Sequence, residues 1–382
     1  MSRPGSEEVR RARVWLSRAV EPGSLALHRL LATCGPVEAV RLIRAGEAPG
    51  PVARMAEARR TADRVDADLA DAERLGLRLV TPEDDEWPDA ALHPMEVACA
   101  LDRDDLAAPL LLWVRGAARL DDVLARAVAV VGSRDATPYG RHVAADLGHE
   151  LARRGWTVVS GGAYGIDAAA HRGALVAGGT TVAVVAGGLR SPYPAGNATL
   201  FDNVAGSGLV LSEWPPDCPP HRHRFLVRNR LIAAFGAGTV VVEAGARSGA
   251  ESTARRAREL GRVVMALPGP VTSAMSVGTH HLIREGALLV TGAAHVLEAV
   301  GTLGVDLAPP PRAEPTARDR LDPLARRVLD GMPAREPVSP DRIAVDAGVP
   351  VVDVLRCLPA LEIQGFVHPT TTGWRLTPAA RH

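Results

Sequence analysis

Three short segments of this 382-residue chain combine small residues, hydroxyls and guanidinium groups in an order suited to holding anions. The first is Gly132-Ser133-Arg134, directly after the apolar run AVAVV (127–131). Glycine there permits close approach, the hydroxyl and backbone N–H groups donate, and the guanidinium can grip a phosphate through two parallel bonds. The second is Ser160-Gly161-Gly162-Ala163-Tyr164-Gly165-Ile166-Asp167, at the end of WTVVS (156–160). Adjacent glycines before a helix start predict an anion nest at the positive end of the helix dipole. The third, Arg247-Ser248-Gly249-Ala250, follows GTVVVEA (238–244), with Glu243 near the end of that run. Each alone fits any tight strand-to-helix turn. Several in a row suit a strand of successive phosphates better than one nucleotide.

Other constellations carry less chemistry. Ser160 stands where a dinucleotide fingerprint has its first glycine, and Val184, Val185, Ala186 and Gly187 occupy the stretch where a ribose-binding carboxylate belongs, which disfavours NAD. Asp167 and His171, four apart, share a helix face, either as a structural pair or as an acid–base dyad. His221 and His223 have metal-ligand spacing without a carboxylate or cysteine to complete the set, so no metal is expected. Arg228 and Arg230, within HRHRFLVRNRLIAAF (221–235), project from different sides of a helix, so only one faces a ligand. With no Ser-His-Asp order and no paired catalytic carboxylates, no catalytic residue and no cofactor is expected; binding a phosphodiester is favoured over breaking bonds. Bases would stack on Tyr164, Tyr193 or Phe225, or on arginine planes.

Such loops need a scaffold that gathers strand ends. Short β-branched runs at 127–131, 156–160, 181–186, 238–244, 262–267 and 287–290 alternate with helical stretches. Runs apolar on both faces, each followed by a glycine-containing turn and a helix, predict a parallel sheet covered on both sides. This is an extended, doubly wound, Rossmann-like α/β domain with its motif core at 127–300, in which ligands bind beyond the carboxyl ends of the strands. Ahead of it, residues 1–75 predict a small helical domain of helix-hairpin-helix type. Leu25, Leu27, Leu30 and Leu31, then Val37, Val40, Leu42 and Ile43, flank the turn Cys34-Gly35-Pro36. Bundles of this kind touch DNA backbone or only mediate contacts, and the sequence leaves both open. LRLV and PLLLWVRG add two strand-like pieces separated by an acidic turn, extending the larger domain to 76–306. Residues 307–320, rich in Pro, Ala and Arg, predict a linker. Residues 321–382 predict three short helices and a hairpin, the order of a winged helix. Its third helix offers only Arg356 as a cation, so a protein-contact or lid role is favoured over major-groove reading.

Composition bounds the partners. Every one of the 44 basic residues is arginine, so Schiff-base and P-loop lysines are excluded. Against 44 acids the formal charge is zero, which excludes indiscriminate coating of duplex DNA. By segment the balance is uneven: 18 Arg against 22 acids in 1–126, 16 against 12 in 127–300, and 10 against 10 in 301–382. Nine Arg against three acids lie between Cys218 and Arg262. The four cysteines, Cys34, Cys99, Cys218 and Cys357, are far apart, which fits a reducing cytoplasm better than a disulfide framework. The start is charged where a signal peptide needs an apolar segment, and no apolar run approaches the roughly 18 residues of a membrane span. A soluble, cytoplasmic chain without a membrane partner is expected.

Taken together, VAVVGSRDATPYG (128–140), VVSGGAYGIDAAAHRGAL (158–175), TVAVVAGGLRSPYPAGNATLF (181–201), LSEWPP (211–216) with FLVRNRLIAAF (225–235), VVEAGARSG (241–249) and VVMALPGP (263–270) through SVGTHHLIREGA (276–287) resemble successive motifs of the DNA-processing protein A family (DprA/Smf), in family order. The resemblance implies an extended Rossmann fold that binds single-stranded DNA in a basic pocket and forms a homodimer through the same domain. It also implies protection of incoming DNA and loading of the recombinase RecA during natural transformation. By motif, Gly132, Ser133 and Arg134 would hold phosphate, with Gly161, Gly162, Asn197, Arg228, Asn229, Arg230, Ser248 and Gly249 lining the same pocket. Three positions depart from the family pattern. Ala195 and Gly196 stand where many members have a lysine, SGAESTA places Glu251 near the supposed phosphate site, and His280 replaces an asparagine. The lost cation and the gained carboxylate would each weaken phosphate binding by about 1 kcal/mol if exposed to the ligand. The runner-up reading is an enzyme, a nucleotide-processing Rossmann protein of the phosphoribohydrolase (lysine-decarboxylase-like) type. Its P-G-G-x-G-T-x-x-E loop has a counterpart in GARSGAEST, which supplies Glu251 but lacks the tandem glycines and the G-T step.

Overall fold

The computed structural model describes residues 4–103, 105–246, 248–302, 306, 308 and 316–381, with the side chains of 4–6, 379 and 381 outside that description. Its contacts gather into two units, Met1–Ala308 and Pro309–His382.

The first unit opens with α1 (Pro4–Ala19), α2 (Leu25–Ala45), α3 (Gly50–Ala56) and α4 (Val65–Arg74). Ser24 caps α2 by accepting from Leu27 N, and Gly35, at φ +74, breaks α2 into two segments at the expected turn. Val14, Trp15, Leu27, Leu30 and Ile43 of this front share a buried cluster with Trp113, Ala183, Phe201 and Val210 of the region behind it. The helical front and the sheet are therefore one packed body across residue 75.

Then come β1 (Arg78–Val80), α5 (Asp89–Ala100), β2 (Leu112–Arg115) and α6 (Leu120–Leu124). Helix α5 lies within the stretch between the two strand-like pieces, where the sequence offered only an acidic turn; its buried Leu92 and Met95 pack beneath the sheet. Seven parallel strands follow: β3 (Ala127–Val131), β4 (Thr157–Ser160), β5 (Thr181–Val184), β6 (Leu209–Ser212), β7 (Gly238–Val241), β8 (Val263–Ala266) and β9 (Leu288–Leu289). The sheet order is β1-β2-β6-β5-β4-β3-β7-β8-β9, with β1 and β2 antiparallel at one edge. All five residues of β3 are buried. Ala127, Ala129 and Val131 enter one hydrophobic layer and Val128 and Val130 the other, as a period of two demands. Between the strands run α7 (Pro138–Arg153), α8 (Ile166–Val176), α9 (Ala198–Ser207), α10 (Arg222–Phe235), α11 (Gly249–Glu259), α12 (Val277–Arg284) and α13 (Ala293–Val300). α7, α8 and α13 cover one face, while α5, α10, α11 and α12 cover the other. The last expected run, 287–290, differs from the others in that its paired residues Leu288 and Leu289 are exposed on the edge strand.

The chain winds outward from β3 to β6 and then returns to the other side of β3 with β7. Ala129 pairs with Thr239 and Val131 with Val241, so both strands end level. Their following helices leave to opposite faces, and a crevice opens between the two loops at this topological switch point.

The second unit holds α14 (Pro323–Asp330), α15 (Pro340–Ala347), α16 (Val351–Ile363) and the hairpin of β10 (Val367–Thr370) and β11 (Gly373–Leu376). Asp322 and Ser339 cap α14 and α15, and Val328, Ile343, Val354, Leu358 and Leu361 fill its own core. This is a winged helix. Most of the expected linker, 307 and 309–315, lies outside the described residues. No described helix is long and apolar enough to cross a membrane.

Candidate nucleic-acid interface

A cleft of about 880 Å³ opens at the switch point, walled by the loops after β3 and β7, the start of α8 and one face of α10. The two loops are strapped together. Ser133 N donates to Glu243 O at 2.8 Å. The Glu243 carboxylate, 3% exposed, accepts from Thr137 N at 2.9 Å and Thr137 Oγ1 at 2.6 Å. Thr137 in turn caps α7 by accepting from Gly140 N. Glu243 therefore fixes where Gly132, Ser133 and Arg134 stand, and all three line the cleft.

Arg134 is exposed at the cleft wall, its guanidinium carbon 5.0 Å above the Phe225 ring. Tyr193 meets the same ring edge-on, with centroids 5.7 Å apart and planes at 73°. Cation and rings make a shelf on which a base can stack beside a phosphate-binding group. Tyr164 is exposed and does not line the cleft. Two residues that the motifs did not single out, Arg222 and His223, contribute to the wall from the first turn of α10. The density of arginine and histidine in 221–230 was the available signal.

The floor differs from the expected nest. The N–H groups of Gly161 and Ala163 point to Asp167 Oδ2, at 3.1 and 3.3 Å. A carboxylate of the chain itself thus occupies the place expected for phosphate. Gly161 and Gly162 are buried and do not line the cleft, although Ala163 and Asp167 do. Gly162, at φ +68, packs so closely that a Cβ would lie 2.4 Å from the Phe201 ring. Arg228 lies beneath this turn, 4% exposed, donating from Nη1 to Gly161 O at 2.9 Å and to Val184 O. Burial pulls its guanidinium down to about 10, opposed by Asp167 and reinforced by Arg134. It remains a cation at neutral pH, and its Nε is buried without a partner among the described residues. Burial also raises the Asp167 carboxyl, against the pull of Arg228.

The remaining expected site residues divide. Asn229 lines the cleft and reaches Gly249 O at 3.4 Å. Ser248 and Gly249 line it too, Ser248 capping α11 through Ala250 N at 3.3 Å; Arg247 lies outside the described residues. Asn197, by contrast, is 2% exposed, is absent from the cleft wall, and holds Gly162 O at 2.9 Å. It supports the turn from behind. Arg230 is fully buried on the other side of α10, gripping both oxygens of Glu213 at 2.5 and 2.6 Å and donating to Ala107 O. It is a structural ion pair between elements, so Arg228 is the member of the pair that faces the cleft. Glu251 is exposed but not on the cleft wall, whereas Ala250 and Thr253 of the same helix are. Neither the feared repulsion nor the phosphoribohydrolase-like arrangement gains support from its position. His280 Nε2 donates to Gly269 O, 3.0 Å away, holding a loop after β8. Asp167 and His171 face different partners, His171 Nδ1 lying 2.7 Å from Thr181 Oγ1. Among the described residues, no three His, Cys, Asp or Glu side chains gather as a ligand set.

Fold and cleft define an extended Rossmann-like α/β protein with an arginine-lined site at its switch point and a winged helix after it. The model of the family described as DNA recombination-mediator protein A matches residues 78–301, and that of the DprA winged helix domain matches 308–371. A putative DNA processing protein DprA of Mycobacterium tuberculosis is 49% identical over 370 residues, 96% of this chain and 95% of that protein. Protein Smf of Escherichia coli is 38% identical over 252 residues, 65% of this chain and 67% of its own length. The X-ray structure of DNA processing protein A from Streptococcus pneumoniae superposes with a TM-score of 0.63 at 32% identity, covering 76% of this chain and 98% of that one. The chain belongs to the DNA processing protein A (DprA/Smf) family.

Proposed function

We propose that this protein binds single-stranded DNA in the switch-point cleft without cutting or joining it, protects the strand, and loads the recombinase RecA onto it in natural transformation. The carrying observation is the cleft wall itself: Arg134, Arg222 and Arg228 beside the Phe225–Tyr193 shelf. Guanidinium groups neutralise phosphates, and rings accept any unpaired base, a combination that favours a single strand over a stacked duplex. The Ser133 and Ser248 hydroxyls on the cleft wall supply further donors. A cytoplasmic homodimer completes the reading. The edge strand β9 presents Leu288 and Leu289, 49% and 54% exposed, an apolar border that a second copy would cover.

The test is a salt series of single- against double-stranded DNA binding. Single strands should bind preferentially, with the logarithm of affinity falling by about 0.7 per phosphate neutralised for each decade of salt. Arg134→Ala should remove most of the binding. Equal binding by that variant and its parent would sink the cleft assignment. Sedimentation over a concentration range and RecA filament growth on strands coated with single-strand-binding protein check the dimer and the loading role. A concentration-independent monomer, or filament growth indifferent to this protein, would refute them.

A further inference from the structure

We propose that the path of the single strand continues out of the cleft, across the first turn of α10, into a second arginine-lined depression against the helical front. This rests on the single-strand reading of the cleft and extends it to residues that nothing in the family motifs points to.

The depression, about 250 Å³, is lined by Arg18, Arg59, Arg64 and Arg224, with Glu21 as its one carboxylate and the Trp214 indole in its wall. It adjoins the cleft through α10. Arg222 and His223 line the cleft, Arg224 lines the depression, and His223 Nε2 lies 3.8 Å from Glu21 Oε2. One helical turn thus presents cations to both sides.

The four arginines fall into an inner and an outer pair. Arg224, 7% exposed at its side chain, donates to both oxygens of Glu21 at 2.6 and 3.2 Å and to Pro219 O at 2.9 Å. Glu21 Oε2 also accepts from Trp214 Nε1 at 3.1 Å. Arg18 grips Asp68 and Asp217. These contacts already join the front to the sheet domain. The outer pair shares acids that are taken: Arg59 reaches Glu21 at 3.2 Å, and also Arg18 O at 3.3 Å, and Arg64 reaches Asp217 at 3.1 Å. Their side chains are 44% and 53% exposed. Four cations therefore meet three carboxylates, one of which, Asp68, is buried. A joint between two packed elements needs no surplus of exposed guanidinium groups. Exposed ion pairs of this kind contribute little to stability, so a passing phosphodiester can take over either outer guanidinium at small cost.

The experiment uses the full chain carrying Arg59→Ala and Arg64→Ala together, with thymidine oligomers of about 6 and about 20 nucleotides, one filling only the cleft and one reaching beyond it. Each lost phosphate contact lowers affinity about 5-fold at 0.1 M salt, so the longer oligomer should bind about 25-fold more weakly, with its salt slope reduced by about 1.4. The shorter oligomer and the urea midpoint should be unchanged. Unchanged affinity and slope for the long strand overturn the extension. An equal loss for both lengths also overturns it, because it assigns these arginines to the cleft. Arg134→Ala, measured alongside, should weaken both lengths; if it weakens neither, the cleft reading itself fails. Should the alanine pair not fold, Arg59→Gln with Arg64→Gln makes the same comparison while retaining polar side chains.

Discussion

Acidification tests why α8 carries His171. The ring is fully buried, and Thr181 Oγ1, 2.7 Å from Nδ1, donates its own proton to Val158 O at 2.8 Å. The hydroxyl can therefore only accept, so Nδ1 carries the hydrogen and Nε2 is the bare nitrogen, buried without a partner among the described residues. A second proton would enter a site with no acceptor. Burial, with Arg172 and Arg228 adding to it, pulls the imidazole down to about 3. In the unfolded chain it titrates near about 6.5. Between those values the unfolded state binds a proton that the folded state refuses, so stability is full above about 6.5 and falls as the pH drops toward 3. From pH 7 to pH 5 the loss is about 2 kcal/mol. Equilibrium urea unfolding of the parent and of His171→Asn at both pH values measures it. Asparagine keeps a donor near the Nδ1 position and cannot titrate; its cavity lowers stability equally at both pH values and cancels. The pH 7 to pH 5 difference should shrink by about 2 kcal/mol in the variant. An equal difference in both proteins would refute the burial argument. Binding of single strands at pH 7 should match the parent, because His171 does not line the cleft; a loss there would restore the acid–base pairing with Asp167.

Substitutions at two further positions examine the cleft's supports. Gly161→Ala places a Cβ 2.7 Å from Arg228 Nη2 and 2.8 Å from Asp167 Oδ2. It should cost about 1–3 kcal/mol in urea unfolding and weaken DNA binding by displacing Arg228; an undisturbed affinity would show that Arg228 does not act at the cleft. Glu243→Ala leaves Thr137 N and Oγ1 unpaired, at about 1–3 kcal/mol each, whereas Glu243→Gln offers them one acceptor and one donor and should cost less than half as much. Equal melting temperatures for the two variants would contradict the strap.

The alternation of strands and helices was legible because a run apolar on both faces, such as AVAVV, has few homes other than a covered parallel strand. The three loops were legible for the same reason, since glycine, serine and arginine directly after such runs must sit at strand ends. Helix α5 was not, because its acidic entry reads as a turn, and packing of Leu92 and Met95 beneath the sheet stabilises it as a helix. The partner of the nest amides was equally hidden. Gly161 and Gly162 announce a turn rich in N–H groups, but whether phosphate or Asp167 fills it depends on the first turn of α8 folding back over them.

Sequence by itself determined the doubly wound core, the winged helix, the family motifs and an arginine-only positive segment, because composition, period and motif order are local properties of the chain. Tertiary structure decided which of those residues can meet a ligand. Arg228 and Arg230 lie two positions apart and carry the same charge, yet one reaches the cleft floor and the other is locked to Glu213. Asn197 moved from the wall to its support, Asp167 took the nest, and Arg59 and Arg64 came beside α10 from far along the chain. A helix shows its residues to opposite sides, and a sheet brings remote loops to one level. The direction a guanidinium faces is therefore fixed only by what packs around it.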